Sequence, residues 1–189
     1  MNHDVEAMFR VPGDEPRKKF PVRFWYVDIA ISGNLDLLPD ALDYYEAAVR
    51  DGQHYLVPKG DLQMLLTGHA GIVAFYENFL NDALKIHKWL ETKLNRTKKR
   101  RYVWLLSPEG QRQFGKLRVD DMDAYVEADD EIEALIDNLN LIAAAKLDLN
   151  TLVERLHEAG IKLSLISKLR EAGQTEILID AGRASPFED

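Results

Sequence analysis

Apolar positions recur every three or four residues through the middle of this chain. Between Ala70 and Leu106 they fall at Ile72, Phe75, Phe79, Ala83, Ile86, Leu90 and Leu94, the spacing of one helix face. Only Gly71 interrupts the pattern, which predicts a helix of roughly 50 Å at ~1.5 Å per residue. A second such region runs from Asp120 to about Ala145, with Asp120 or Asp121 as its N-cap. Tyr125, Ile132 and Leu139 lie on one line, and Ala128, Leu135, Ile142 and Leu149 on another. Two interleaved lines at seven-residue spacing make a seam for a neighbouring helix. Leu149, Leu152, Val153 and Leu156 extend the apolar face to His157. Gly160 is expected to break it, leaving a short last helix over Ser164 to Ala172.

The flanking segments read differently. Met1 to Pro21 is a polar arm punctuated by Pro12, Gly13, Pro16 and Pro21. Val22 to Ile31 is dominated by aromatic and β-branched residues, which predicts a strand ended by Ser32-Gly33-Asn34. Pro39 suits the first turn of a helix closed by Asp51-Gly52. His54 to Val57 reads as a short strand, Pro58-Lys59-Gly60 as a turn, and Asp61 as the cap of a short helix to Thr67. Ser107 to Gly110 reads as a turn with a loop to Gly115, and Ile177 to Ile179 as a small strand. The expected fold is mainly α: two long antiparallel helices with short C-terminal helices and a small N-terminal segment containing some strand. The expected division is an N-terminal extension over residues 1–69 and a helical domain over 70–189.

Charge changes this picture, because it is unevenly distributed. The formal net charge of the 189 residues is −8, yet eight basic residues lie between Lys85 and Arg101. They are Lys85, Lys88, Lys93, Arg96, Lys98, Lys99, Arg100 and Arg101, opposed by Glu91 alone, a net +7 in seventeen residues. Trp89, Tyr102 and Trp104 are interleaved. Cations track a phosphate backbone by releasing counterions, and aromatic faces stack on unpaired bases. The candidate nucleic-acid-binding residues are therefore Lys93, Arg96, Lys98, Lys99, Arg100, Arg101, Tyr102 and Trp104. Arg17 to Tyr26 mixes cations and aromatics more weakly. Nine acids without a base follow between Asp120 and Asp137. They either fold back on the basic helix and neutralise it, or register neighbouring subunits.

No route to chemistry stands out. The chain has no cysteine, which removes disulfides, thiolate metal sites and cysteine nucleophiles and fits a reducing compartment. The five histidines are scattered, with none at a metal-ligand spacing. His157 and Glu154 could share a helix face, as could His87 and Glu91. No phosphate-cradling glycine loop or serine elbow is present. No signal peptide or membrane span is expected. The expectation is a cytoplasmic, non-enzymatic binding protein without metal or cofactor.

From about Phe75 to Gly173 the order of parts resembles the UvsY family, recombination mediators of tailed bacteriophages. The resemblance rests on Ile86-His87-Lys88-Trp89-Leu90, on the cations Lys98 to Arg101 leading into Tyr102-Val103-Trp104, on the acid-flanked helix start Asp121 to Asp129, and on Leu169-Arg170-Glu171-Ala172-Gly173. The first seventy residues have no counterpart in the short family members. The resemblance implies a homo-oligomer, in ring form, that binds single-stranded DNA in the host cytoplasm and helps a RecA-like recombinase displace a single-strand binding protein. It places DNA contacts on Lys98, Lys99, Arg100 and Arg101, with Lys93 and Arg96 outside them. Assembly falls on Ile132, Leu135, Leu139, Ile142, Leu149, Leu152 and Leu156, of which the seven-residue spacing picks the first five independently and the extended apolar face the last two. The alternative expectation is a structural or assembly protein of a virion or nucleoprotein complex.

Overall fold

The computed structural model describes residues 23–57 and 60–172. The expected polar arm and the strand at Ile177 to Ile179 lie outside these residues, as does most of the turn at Pro58 to Gly60. The described chain is mainly helical: α1 (Trp25–Ser32), α2 (Leu38–Gly52), α3 (Leu62–Leu106), α4 (Pro108–Phe114), α5 (Val119–Glu127) and α6 (Asp130–Glu171), with 3-10 turns at Leu35–Leu37 and Gln53–Tyr55. Two compact units form. One combines Arg23–Glu46 with Phe79–Leu149; the other combines Ala47–Asn78 with the described residues from Asn150. This differs from a boundary near residue 70, because each unit draws on segments far apart in sequence and both long helices contribute to each.

In the unit built on Phe79–Leu149, the apolar face expected for α3 is buried at Phe79, Ala83, Ile86, Leu90 and Leu94. Tyr44 packs edge-on against Trp25 at 6.1 Å and Phe79 at 5.4 Å. Trp25 to Ser32 is a helix, not the strand that its composition predicts. Trp25 and Ile29, four residues apart, both bury, which a helix allows and an alternating strand does not. Its first turn has no cap from Phe24. The carboxylate of Asp82 on α3 supplies one instead, accepting the backbone N–H of Tyr26 at 3.3 and 3.4 Å. Gly33, at φ 66°, ends the helix in the left-handed region.

Other boundaries also move. Ser107 caps α4 by accepting the Gly110 N–H at 3.2 Å, with Pro108 in the first turn, so the expected loop is helical. Gly110 is needed because a Cβ there would collide with the backbone of Trp104 and Leu105. The second long helix starts at Asp130. Asp129 caps it through Oδ1 and the Glu131 N–H at 3.1 Å, leaving Tyr125 and Ala128 outside the seven-residue lines. The assembly residues are already occupied. Ile132, Leu135, Ile142, Leu149, Leu152 and Leu156 are buried in the single chain, and Leu139 is half-buried. They form the chain's own core rather than an open seam; Leu141, Leu147, Ile161 and Leu165 are the large apolar side chains left exposed on α6.

In the unit built on Ala47–Asn78, Asp61 caps α3 by accepting the N–H groups of Gln63 and Met64 at 2.9 and 3.2 Å. The helix continues past Thr67 and Gly71 without interruption, because Ile72, Val73, Phe75 and Tyr76 bury in sequence. Gln53–Tyr55 is a 3-10 turn where a strand was expected over His54 to Val57. Tyr76 and Leu152 both lie against Gly52, and His69 lies against Gly160. Numbers rise along one helix as they fall along the other, so the α3 and α6 segments of this unit run antiparallel.

Gly160 does not break α6. The buried His69 reaches across with Nε2 2.7 Å from the Leu156 carbonyl, to which it donates. A Cβ on residue 160 would sit 2.7 Å from His69 Cδ2 and 2.9 Å from Nε2. Gly160→Ala should therefore destabilise the protein by about 1–2 kcal/mol in urea unfolding, the overpacking cost outweighing the ~1 kcal/mol that alanine gains in a helix. In a His69→Ala background the same change should be neutral or stabilising. Equal effects in both backgrounds would mean that the histidine contact is not the reason for the glycine.

Candidate nucleic-acid interface

At 3.6 residues per turn, the helical part of α3 from Lys85 to Arg100 sorts its cations by face. Lys85, Lys88, Lys93, Arg96, Lys99 and Arg100 fall within an arc of ~140°. The core residues Ile86, Leu90, Leu94 and Thr97 fall on the other side. All six cations are exposed except Lys93, which is half-buried. The stripe is about 22 Å long at 1.5 Å per residue. Arg96, Lys99 and Arg100 line an open groove of about 600 Å³ together with Val103. Among the described residues no carboxylate pairs with these three. Arg100 instead donates to Thr97 Oγ1 at 3.3 Å. Glu91, the acid within the block, faces away and lies 3.8 Å from His87.

The four consecutive cations separate accordingly. Lys99 and Arg100 are on the stripe, Lys98 is half-buried off it, and Arg101 points to the opposite side. Arg101 Nε lies 3.1 Å from Asp129 Oδ2, an ion pair without the alignment of a hydrogen bond. Its guanidinium also covers the Trp104 ring at 4.5 Å. Trp104 packs edge-on against Phe114 at 5.9 Å, and Phe114 against Tyr125 at 4.9 Å. The Tyr102 hydroxyl donates to Asp123 Oδ1, and that bond raises the phenol above its ordinary pKa. Arg101, Tyr102 and Trp104 thus hold α4 and α5 onto α3. Two acids of the 120–137 stretch, Asp123 and Asp129, fold back on the basic helix, as one of the two expectations had it. Asp120, Asp121, Glu127, Asp130, Glu131, Glu133 and Asp137 stay exposed.

No protein family, curated protein or solved structure matches this chain.

Lys85, Lys88 and Trp89 stand in the basic block of the sequence but fall outside the candidate contacts, which begin at Lys93; the structure puts them on the same face. The signal was available: charges at 85, 88, 93, 96, 99 and 100 keep to one face, whereas 98 and 101 do not. The second unit holds a cavity of about 470 Å³ with mainly apolar walls, among them Leu66, Val73, Ile161 and Leu163. His157 lines it and pairs with Glu77 at 3.1 Å rather than with Glu154, which accepts from Asn150. His69 also lines it but is committed to Leu156. The carboxylate whose pKa burial raises is Asp82, which belongs to the other unit. Among the described residues no helix is long and apolar enough to cross a membrane.

Proposed function

We propose that this protein binds single-stranded nucleic acid along the six-cation face of α3 and performs no chemistry on it. The observation that carries this reading is the stripe itself: six cations on one face, with Arg96, Lys99 and Arg100 paired with no acid among the described residues. Like charges at three- and four-residue spacing destabilise a helix, so folding alone gives no reason for the arrangement. An extended polyanion does. Following the resemblance over residues 75–173, the strand is single-stranded DNA. The role is then that of a homo-oligomeric accessory factor that loads a RecA-like recombinase against a single-strand binding protein. Several stripes in one oligomer would raise affinity through effective concentration.

An assembly protein is the second reading. Exposed Leu141, Ile161 and Leu165 on α6 favour it, as do the exposed acids between Asp120 and Asp137. Light scattering with and without a labelled oligonucleotide, over a salt series, separates the two. Nucleic-acid binding predicts an affinity that falls with salt at a log–log slope of about −4, at ~0.7 per phosphate for six contacts. An oligomer indifferent to the strand at low salt would favour assembly and defeat the binding reading.

A further inference from the structure

The protein has three tryptophans, and all three lie in the unit that carries the stripe. Trp25 is buried in the core, with the Arg23 guanidinium 3.6 Å from its ring centroid. Trp104, half-buried like Trp89, has its ring taken up by Phe114 on its edge and the Arg101 guanidinium over its face. Trp89 differs from both. It sits at the middle of the cationic arc, is half-buried, and among the described residues has no aromatic neighbour. Its contact is the Lys93 ammonium, 5.1 Å from the ring centroid. Lys85, Lys88 and Arg96 lie on the same face, within about two turns of it.

A flat apolar ring surrounded by cations is matched by a nucleotide whose base is free to leave its stack. The base covers the ring, and the phosphates on either side of it take the ammonium groups. A duplex keeps its bases inside and offers the stripe its phosphates alone. We propose that Trp89 is the base-stacking residue of this protein and the source of its preference for single strands over duplex, with Lys93 as the phosphate partner of the stacked nucleotide. The inference rests on the proposed function and narrows to Trp89 the stacking role that composition suggested for Trp89, Tyr102 and Trp104 together.

The test compares Trp89→Ala, Trp89→Phe and Trp104→Phe with the wild type, using labelled oligothymidylate and a duplex of equal length at several salt concentrations. Trp89→Ala should lose roughly five- to a hundredfold in oligothymidylate affinity, the range of one base–aromatic stack. The salt slope and duplex affinity should stay unchanged. Trp89→Phe keeps a ring in place and should retain most of the affinity, whatever Trp89→Ala does to the fold. Oligothymidylate should quench tryptophan fluorescence in the wild type and in Trp104→Phe, but not in Trp89→Phe. Wild-type affinity in Trp89→Ala, an equal loss for duplex and single strand, or full quenching in Trp89→Phe each overturns the assignment. If the salt-dependent binding persists in any of those cases, the proposed function survives. If the wild type fails to bind the oligonucleotide at low salt, the function and the inference fall together.

Discussion

Asp82→Ala is expected to lower the unfolding free energy by about 3 kcal/mol. Asp82 is 2% exposed and accepts from the Tyr45 hydroxyl at 2.7 Å as well as from the first-turn amides of α1. Alanine leaves a fully buried phenol hydroxyl without an acceptor, which costs roughly 1–3 kcal/mol. It also removes the cap of α1, worth about 1 kcal/mol. Tyr45→Phe should cost less, about 1–2 kcal/mol, since the carboxylate keeps its amide donors. The double variant should cost less than the sum, because no hydroxyl is then orphaned. Urea unfolding of the four proteins checks this; a change under ~1 kcal/mol for Asp82→Ala would mean that the hydroxyl finds another partner and α1 another cap.

The same residue gives the fold a pH dependence of definite sign. Burial raises the Asp82 pKa above its ordinary 3.8, against the opposing bonds from Tyr45, Tyr26 and Trp25 and the charge of Lys85. A raised folded-state pKa means that the native state favours the protonated acid. Its contribution is complete below the unfolded value and is lost as pH rises through the folded value. Asn removes the titration while keeping one acceptor oxygen. The cost of Asp82→Asn should therefore be greatest near pH 4 and shrink towards neutrality, where the wild type bears the cost of a buried charge. A cost that grows with pH would reverse the assignment.

Asp82 also shows why part of the fold could not be read along the chain. The helix α3 was legible because its own period buries Ile72, Phe75, Phe79, Ala83, Ile86, Leu90 and Leu94. The caps at Asp61 and the left-handed glycine after Ser32 are likewise local signals. Apart from that glycine at its end, α1 has no local signal. Its valine, isoleucines and aromatics favour a strand, and the cap that makes it a helix lies 56 residues away. Gly160 misleads for the same reason: alone it reads as a break, but His69, far away in sequence, requires the missing side chain. The seven-residue lines of α6 were correctly apolar, and their residues are buried within the single chain; spacing reports that a face is covered without saying by which chain. At the interface, four adjacent cations drew attention to themselves, although adjacency spreads charge around a helix and only the three- and four-residue repeat gathers it.

That distinction sets the largest expected effect on binding. Arg96→Ala, Lys99→Ala and Arg100→Ala together should weaken single-strand affinity about a hundredfold at 0.1 M salt, at ~0.7 log units per phosphate contact for each tenfold change in salt. The log–log salt slope should fall from about −4 to about −2. The fold should not suffer, because alanine is a strong helix former and the change relieves like-charge neighbours. Thermal unfolding at or above the wild-type midpoint is the control. Lys98→Ala, off the stripe, should leave both affinity and slope nearly unchanged. Arg101→Ala should behave in the opposite way to the triple variant. It removes the partner of Asp129 and the cover of Trp104, so stability should fall while the salt slope holds. If Arg101→Ala or Lys98→Ala flattened the slope as much as the stripe variant did, phosphate contact would follow the four consecutive cations rather than the helix face, and the interface drawn from Lys85 to Arg100 would be wrong.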